Sequence, residues 1–179
     1  MGSDALYQGH EGAQPGLSVR RDHRRMSRVS PRFRRAEARD LDAIIALLAD
    51  DALGQTRERV ATPTDPAYAE AFRAIETDPN QLLAVMEDED GVAGCLQISF
   101  IPGLSRRGMW RGQIESVRIA SRLRGAKLGR EMLEWAIDQC RQRNCQLVQL
   151  TSDKSRSDAL RFYESLGFIA SHEGFKLAL

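Results

Sequence analysis

Glycines and cations are concentrated in residues 122–130, the stretch whose composition most clearly suggests chemistry. Gly125 and Gly129 allow the backbone to approach a ligand closely, and the free backbone amides at the start of a following helix favour an anion. Cationic side chains at that end oppose the helix dipole, at a cost of roughly a few tenths of a kcal/mol each unless an anion is bound. The stretch therefore suggests a phosphate site, with a glycine turn among solvated cations as an equally weighted alternative. The cations are Arg122, Arg124, Lys127 and Arg130.

Two elements must position this turn. Residues 113–120 form a strand pattern before it, and apolar side chains in residues 128–140 recur at helical spacing after it. Elsewhere the pattern predicts strands that are joined first by hairpins and later by helices, in the order β-α-α-β-β-β-α-β-α-β-β. The last two strands are expected at residues 168–170 and 175–179. The predicted fold class is α+β (α/β layered), with a mixed sheet flanked by helices.

The composition excludes several classes of protein. The 179 residues include 26 Lys and Arg against 25 Asp and Glu, so a net charge of +1 argues against a globally basic nucleic-acid binder. Three cysteines without C-x-x-C spacing and three histidines without an H-x-x-x-H pair argue against a disulfide framework and a metal site. Neither a long apolar run nor the apolar centre of a signal peptide is present, so we expect a cytoplasmic protein without a membrane partner.

Residues 1–31 differ from the rest of the chain because they are rich in Gly, Ser, Gln and Arg and lack periodic apolar residues. We expect a disordered basic N-terminal extension here, followed by a single domain over residues 32–179. The arginines could alternatively form an arm for an acidic partner such as nucleic acid. No aromatic or groove-reading element accompanies them, so the pattern disfavours nucleic acid as a partner.

The turn and a stretch downstream resemble two motifs of the GNAT acetyltransferase superfamily. The first is Arg124-Gly-Ala-Lys-Leu-Gly129, similar to the Arg-Gly-x-Gly-Ile/Leu-Gly of many members, with Lys127 where glycine is usual. The second is Ala159-Leu-Arg-Phe-Tyr-Glu-Ser-Leu-Gly-Phe168, similar to the closing helix and strand of that superfamily. Two motifs in this order are far more specific than one glycine turn. The resemblance covers residues 33–179 and implies a mostly antiparallel twisted sheet that splays open between strands 4 and 5.

The resemblance also implies acetyl-CoA as co-substrate, lying in the splay. Its pyrophosphate would meet the backbone amides of residues 125–130, and its pantetheine would pair with the backbone of residues 117–119. The residues expected to bind it are Val117, Arg118, Ile119, Arg124, Gly125, Ala126, Lys127, Leu128, Gly129 and Arg130.

Two catalytic residues follow from the same resemblance. Members often carry a glutamate on the strand before the turn, which makes Glu115 the expected general base, and strand alternation puts it on one face with Val117 and Ile119. A glutamate with a pKa of about 4.3 needs partial desolvation or a water relay to deprotonate an amine. Tyr163 matches the tyrosine that members use to protonate or hydrogen-bond the departing thiolate. A surface carboxylate and a half-buried aromatic are the structural alternatives.

The acceptor amine is the least specified part of the prediction. His172 lies in the predicted final hairpin and could act as a base or a weak substrate ligand, although a lone histidine in a turn is more often simply exposed. Arginines in residues 54–66 and 101–112 suggest an acceptor that carries a carboxylate or phosphate, although solvated loops are the simpler explanation of them.

The sequence therefore predicts a cytoplasmic N-acetyltransferase that moves the acetyl group of acetyl-CoA to a primary amine of a small molecule by direct attack in a ternary complex. An acetyltransferase of protein or peptide amines, and a non-catalytic acyl-CoA-binding regulatory module, are the alternatives. The expected partner is the small-molecule acceptor, and a homodimer is left open.

Overall fold

The computed structural model describes residues 31–51 and 53–179. The extension predicted for residues 1–31 thus lies outside the described residues, apart from its last one. The helices and strands are β1 (Arg32–Arg35), α1 (Leu41–Leu48), α2 (Pro66–Thr77), β2 (Gln81–Asp88), β3 (Gly91–Pro102), β4 (Trp110–Ile119), α3 (Leu128–Gln142), β5 (Leu147–Leu150) and α4 (Ser157–Glu164).

The five strands form one sheet in chain order. β1 to β4 are antiparallel neighbours, whereas β5 runs parallel to β4 because α3 connects the two strands. The hairpin between β2 and β3 turns at Gly91, whose φ of +108° is readily adopted only by glycine. The mixed, mostly antiparallel sheet flanked by helices confirms the predicted fold class.

One side of the sheet, the α3 side, is covered by α3 and α4. Met132, Leu133 and Ala136 of α3 are fully buried and lie at spacings that place them on one helix face. They belong to one apolar cluster with side chains of β2, β3 and β4, which include Leu82, Met86, Leu96, Ile98, Phe100 and Ile114.

The other side, the α1 side, is covered by α1 and α2. Ile44 and Leu47 of α1 join Phe72 of α2 in a second apolar cluster against the sheet. At the start of α2 the Asp65 carboxylate accepts a hydrogen bond from the Ala67 amide at 3.0 Å, an N-cap that fixes where the helix begins.

An ion-pair network ties the start of α1 to the edge of the sheet. The Arg34 guanidinium donates to both oxygens of Asp40, at 2.6 and 2.9 Å, and to the carboxylate of Glu87. Asp40 is buried, yet the hydrogen bonds from Arg34 hold its pKa below the usual range. Asp40 also accepts from the Glu37 amide at 2.8 Å, so Arg34 and Asp40 together connect β1, β2 and the turn that precedes α1.

The loop between β3 and β4 is shorter than the sequence predicts. Pro102 pairs with Trp110, so the two strands extend into the region assigned to a loop over residues 101–112. The remaining connection contains Arg106 and Arg107 in the left-handed backbone region, with φ of 53° and 61°.

The end of the chain also differs from the sequence-based prediction. α4 is followed by Gly167 at φ +90°, and no strand forms over residues 168–170 or 175–179. The alternating apolar pattern that predicted these strands is present, but a strand also needs a neighbouring strand for its backbone amides and carbonyls. Within the described residues, no strand pairs with the segment.

Candidate active site

The sheet opens between β4 and β5. The two strands pair only from Arg111–Leu147 to Ile114–Leu150, whereas β4 continues to Ile119. Residues 115–119 therefore present backbone groups toward a gap on the β5 side, while their other edge stays paired with β3. This confirms the predicted splay and leaves a strand edge available for a ligand.

A β-bulge at Ser116 changes which side chains face each side of the sheet. Ser116 has a φ of 55°, and the pairing of β3 with β4 shifts between Cys95 and Gln97. Val117 and Ile119 pack on the α3 side, so strand alternation predicted wrongly that Glu115 shares their face. The extra residue inverts the alternation.

Glu115 and Arg118 instead lie on the α1 side. Glu115 is opposite Gln97, and Arg118 is opposite Cys95, which belongs to the cluster beneath α1 and α2. Glu115 is an exposed residue. The bulge therefore brings the carboxylate of Glu115 and the guanidinium of Arg118 to one face, next to the gap between β4 and β5.

The turn before α3 keeps the tight backbone of a glycine turn despite its lysine. Gly125 has a φ of +85° and Lys127 a φ of +66°, a conformation that costs a non-glycine residue roughly 1–2 kcal/mol. Among the described residues no side chain caps the first amides of α3. The uncapped start of this 15-residue helix is suited to an anion.

The arginines of the turn are paired with other elements of the fold. Arg122 binds Asp88 at 2.6 and 3.0 Å, and Arg124 binds the carbonyl and carboxylate of Asp50 at 2.6 and 3.0 Å. Arg130 donates to Ser165 at the end of α4, at 2.8 and 3.1 Å. These contacts hold the turn in place. The sequence suggested that the three arginines would be free to bind an anion, whereas each is paired with another part of the fold. Lys127 makes no salt bridge within residues 31–51 and 53–179.

Tyr163 lies on α4, half-buried against the α3-side cluster. Its ring packs against Phe162 and Phe168, with centroids 5.4 and 6.0 Å apart. Burial raises the pKa of the phenol, although the charges of Arg156 and Arg118 partly oppose the increase. The hydroxyl therefore remains protonated at neutral pH and is a hydrogen-bond donor.

A cluster of charged side chains that the sequence did not reveal lies near Tyr163. The Arg118 guanidinium is 3.6 Å from the carboxylate of Asp51, which follows α1. Its Nε is buried and has no hydrogen-bond partner among the described residues. Burial alone would raise the pKa of Asp51, but the hydrogen bond from the Gly54 amide and the charges of Arg118 and Arg156 hold it below the usual range.

The family resemblance places Arg118 among the cofactor-binding residues and implies no role for its side chain. The missed signal was the bulge, because without it the guanidinium cannot be placed on the α1 side. An unpartnered buried donor is costly. The guanidinium is partly exposed, so its terminal nitrogens, and not the buried Nε, are the atoms that an anion could contact.

His172 lies in the exposed segment after α4 rather than in the predicted hairpin. Its Nδ1 is 2.8 Å from the Ser171 hydroxyl. The neighbouring Glu173 pairs with Lys154 at 2.6 Å, so the segment lies beside the loop that follows β5.

Cysteine chemistry is disfavoured at this site. Burial raises the pKa of the Cys95 and Cys140 thiols to about 12, so neither is a ready thiolate nucleophile.

Within the described part of the chain, no group of three or more His, Cys, Asp or Glu side chains could hold a metal ion. No helix in that part is long and apolar enough to cross a membrane.

Known proteins resemble this chain in sequence and in structure. Residues 43–168 match the acetyltransferase (GNAT) family. The aminoalkylphosphonate N-acetyltransferase of Salmonella typhimurium is 30% identical over 159 residues, which cover 87% of this chain and 97% of that protein. Among solved structures, a transcriptional regulator from Bacillus halodurans is 45% identical, with a TM-score of 0.81 over 84% of this chain and 100% of that one. The glucosamine-6-phosphate N-acetyltransferase of Arabidopsis thaliana is 25% identical, with a TM-score of 0.66 over 84% of this chain and 97% of that one.

The family match covers most of the sheet, the splay between β4 and β5, and the turn before α3. It agrees with the resemblance carried by the two sequence motifs. The chain belongs to the acetyltransferase (GNAT) family and is an acetyltransferase.

Proposed function

We propose that this protein transfers the acetyl group of acetyl-CoA to the primary amine of a small molecule that also carries an anionic group. The observation that carries this proposal is the unpaired edge of β4 at residues 115–119, next to the uncapped start of α3 and the partly exposed Arg118 guanidinium, whose Nε lacks a partner among the described residues. The first two features suit an extended, phosphate-bearing co-substrate, and the third suits an anionic acceptor.

The residues around the opening fit acetyl-CoA. Backbone amides of residues 125–130 would receive the pyrophosphate, with Lys127 as an additional cation, and the edge of residues 117–119 would pair with the pantetheine. The arginine pairs that brace the turn fix its amides before the ligand arrives, which lowers the ordering cost of binding.

When bound, acetyl-CoA supplies an activated thioester and a thiolate leaving group. Glu115 would accept the proton of the attacking amine, directly or through water, from the α1 side of the sheet. The protonated hydroxyl of Tyr163 would donate a hydrogen bond to the sulfur as the carbon–sulfur bond breaks. A proton is thus removed on one side of the thioester, and negative charge is stabilised on the other.

The charge around the opening favours an acceptor with a negative group. Arg118 and Arg156 face one carboxylate, Asp51, and the Arg118 Nε lacks a partner in the described chain. The Salmonella relative is named for aminoalkylphosphonates, which join an amine to a phosphonate. We therefore infer that Arg118 binds the anionic end of the acceptor while the amine approaches Glu115.

Steady-state kinetics with thiol detection test the proposal. We expect an aminoalkylphosphonate to be acetylated at least tenfold more efficiently, in kcat/KM, than the alkylamine of the same chain length. Arg118→Met should remove most of this preference while changing kcat/KM for the neutral amine less than threefold. A loss shared by both amines would mean that Arg118 is only structural. Arg141→Met removes an exposed arginine of α3 and serves as the matched control.

Tyr163→Phe separates chemistry from binding. We expect kcat to fall at least tenfold while the Kd for acetyl-CoA, measured by calorimetry, stays within twofold. An unchanged kcat would remove the proposed role of the hydroxyl.

A regulatory role is the second candidate, because the 45%-identical relative from Bacillus halodurans is described as a transcriptional regulator. Micromolar binding of acetyl-CoA without turnover of any amine in a broad panel would favour it. Faster turnover of peptide N-termini than of small amines would instead favour a protein acceptor.

A further inference from the structure

The C-terminal end of α3 brings two cysteines together. Asn144 follows the helix in the left-handed backbone region, with a φ of 56°, and turns the chain toward β5. The Asn144 amide donates to the carbonyl of Arg141 at 2.9 Å, and the Cys145 amide donates to the carbonyl of Cys140, also at 2.9 Å. These two hydrogen bonds form a Schellman motif, in which side chains at the positions of Cys140 and Cys145 commonly contact each other.

The geometry of this motif is compatible with a disulfide. The 2.9 Å hydrogen bond and standard bond lengths limit the distance between the Cα atoms of Cys140 and Cys145 to about 6.8 Å at most, which is the upper end of the range found in disulfides. Both side chains belong to the α3-side cluster, and each thiol is close enough to affect the pKa of the other. Any two apolar side chains would complete the motif, so it does not itself require sulfur at both positions.

We propose that Cys140 and Cys145, which are free thiols in the structure, form a reversible disulfide that joins the end of α3 to the start of β5. The oxidant is a small disulfide of the glutathione class. The Cys145 thiolate attacks one sulfur of the oxidant and releases one glutathione thiolate. The Cys140 thiolate then attacks the Sγ of Cys145 in the mixed disulfide and releases the second. Two protein thiols are oxidised and lose their protons, while the oxidant is reduced to two molecules of glutathione.

The exposure of the two thiols sets the order of these steps. Cys145 is partly exposed and Cys140 is fully buried, so the oxidant reaches Cys145 first. Burial raises the pKa of the Cys145 thiol, and the charge of Arg143 partly opposes the increase. Burial raises the pKa of Cys140 to about 12, which makes the second attack slow. Because the two sulfurs are held close together, we expect the disulfide to form within hours.

The disulfide would lie next to the pairing of β4 with β5. A Cβ added at Gly112 would be 2.3 Å from the Sγ of Cys140, and Gly112 lies opposite Val148 of β5. Oxidation moves this sulfur toward Cys145 and links β5 covalently to α3. The modification therefore acts on the strand that forms one side of the splay. The inference is independent of the acetylation chemistry proposed above, in which neither thiol takes part.

Mass spectrometry of the full chain tests the proposal. The reduced protein is incubated with about 5 mM glutathione disulfide at about pH 8, and the remaining thiols are alkylated before digestion. We expect the intact protein to lose the mass of two hydrogen atoms within hours and to regain it with dithiothreitol. Trypsin cleaves after Arg141 and Arg143, so the disulfide should appear as residues 131–141 linked to residues 144–154.

Two variants separate the steps. Cys140→Ala keeps the accessible thiol and removes the second one, so it should accumulate the mixed disulfide, with one glutathione added. Cys145→Ala leaves only the buried thiol of the pair and should keep its mass. Cys95→Ala is the matched control because it removes a buried thiol of the other apolar cluster, and it should form the disulfide as the unchanged protein does.

Three outcomes would overturn the proposal. The full chain could keep all three thiols under these conditions, or it could stop at a stable mixed disulfide on Cys145. A linked peptide that contains Cys95 would also contradict it, because that pairing would show that the thiols met in unfolded chains.

Discussion

The two sides of the sheet hold their helices by different interactions. On the α3 side, Met132 and Leu133 are fully buried, and the buried contacts between α3 and the sheet are apolar. On the α1 side, apolar contacts are joined by ion pairs at both ends of α1, where Arg34 binds Asp40 and Arg124 binds Asp50. Apolar contacts do not depend on protonation, whereas ion pairs respond to pH and to nearby charge. The packing of the α3 side, which supports the turn before α3, should therefore not change with pH. The stability of the α1 side, which carries Glu115, should depend on pH.

The largest effect should come from breaking the network at the start of α1. Arg34→Met leaves the carboxylate of Asp40 buried without its partner, with a side-chain exposure of only 5%. Removing one member of a buried pair costs about 3–5 kcal/mol, so the free energy of unfolding in urea should fall by roughly that amount.

Arg39→Met is the matched control because Arg39 pairs with Glu37 at the surface, with side-chain exposures of 70% and 56%. That change should cost less than about 1 kcal/mol. Equal losses in the two variants would mean that the buried network does not hold α1.

On the α3 side, the free energy of unfolding should depend on the volume of the buried side chains and not on their charge. A Cβ added at Gly112 would lie 2.3 Å from the Sγ of Cys140, so Gly112→Ala should destabilise the protein by about 1–3 kcal/mol in urea. Gln113→Ala is the matched control at the next position on β4, where the side chain faces the α1 side of the sheet. It removes one hydrogen bond with Gln149 and should cost about 1 kcal/mol or less.

The overpacking can be checked by making room for the new methyl group. Cys140→Ala should partly rescue Gly112→Ala, so the double variant should be more stable than the sum of the two single losses predicts. Strictly additive losses would show that the two side chains do not compete for the same space.

The sequence predicted the α3 side of the sheet better than the α1 side. The strand, turn and helix around Gly125 are local in sequence, and their glycines and periodicity are visible in a short window. The bulge at Ser116 cannot be recognised in a short window, because an extra residue on β4 is detected only from the pairing of β4 with β3. The partners of Arg122 and Arg124 lie 34 and 74 residues away, so their ion pairs depend on the tertiary fold.

Acid should weaken the α1 side selectively. Hydrogen bonds from Arg34 lower the pKa of Asp40 and of Glu87 in the folded protein, so the unfolded state binds protons at higher pH than the folded state. The stability from these groups is complete above their ordinary pKa of about 4 and is lost as pH falls through the lowered values. Urea unfolding from pH 6 to pH 3 should show a steep loss that is much shallower in Arg34→Met. Parallel curves for the two proteins would contradict this assignment.

The smallest effects should come from Lys127, where charge and backbone strain can be separated on the α3 side. Lys127→Ala and Lys127→Gly both remove the cation, so each should raise the Kd for acetyl-CoA by about two- to fivefold at low salt, as expected for one exposed ion pair. Only glycine adopts the φ of +66° without strain, so the glycine variant should be more stable than the alanine variant by roughly 1 kcal/mol. Calorimetric titration measures the first quantity and urea unfolding the second. If alanine left the Kd unchanged, the backbone amides alone would suffice for the pyrophosphate, and the lysine would only occupy a position that favours glycine.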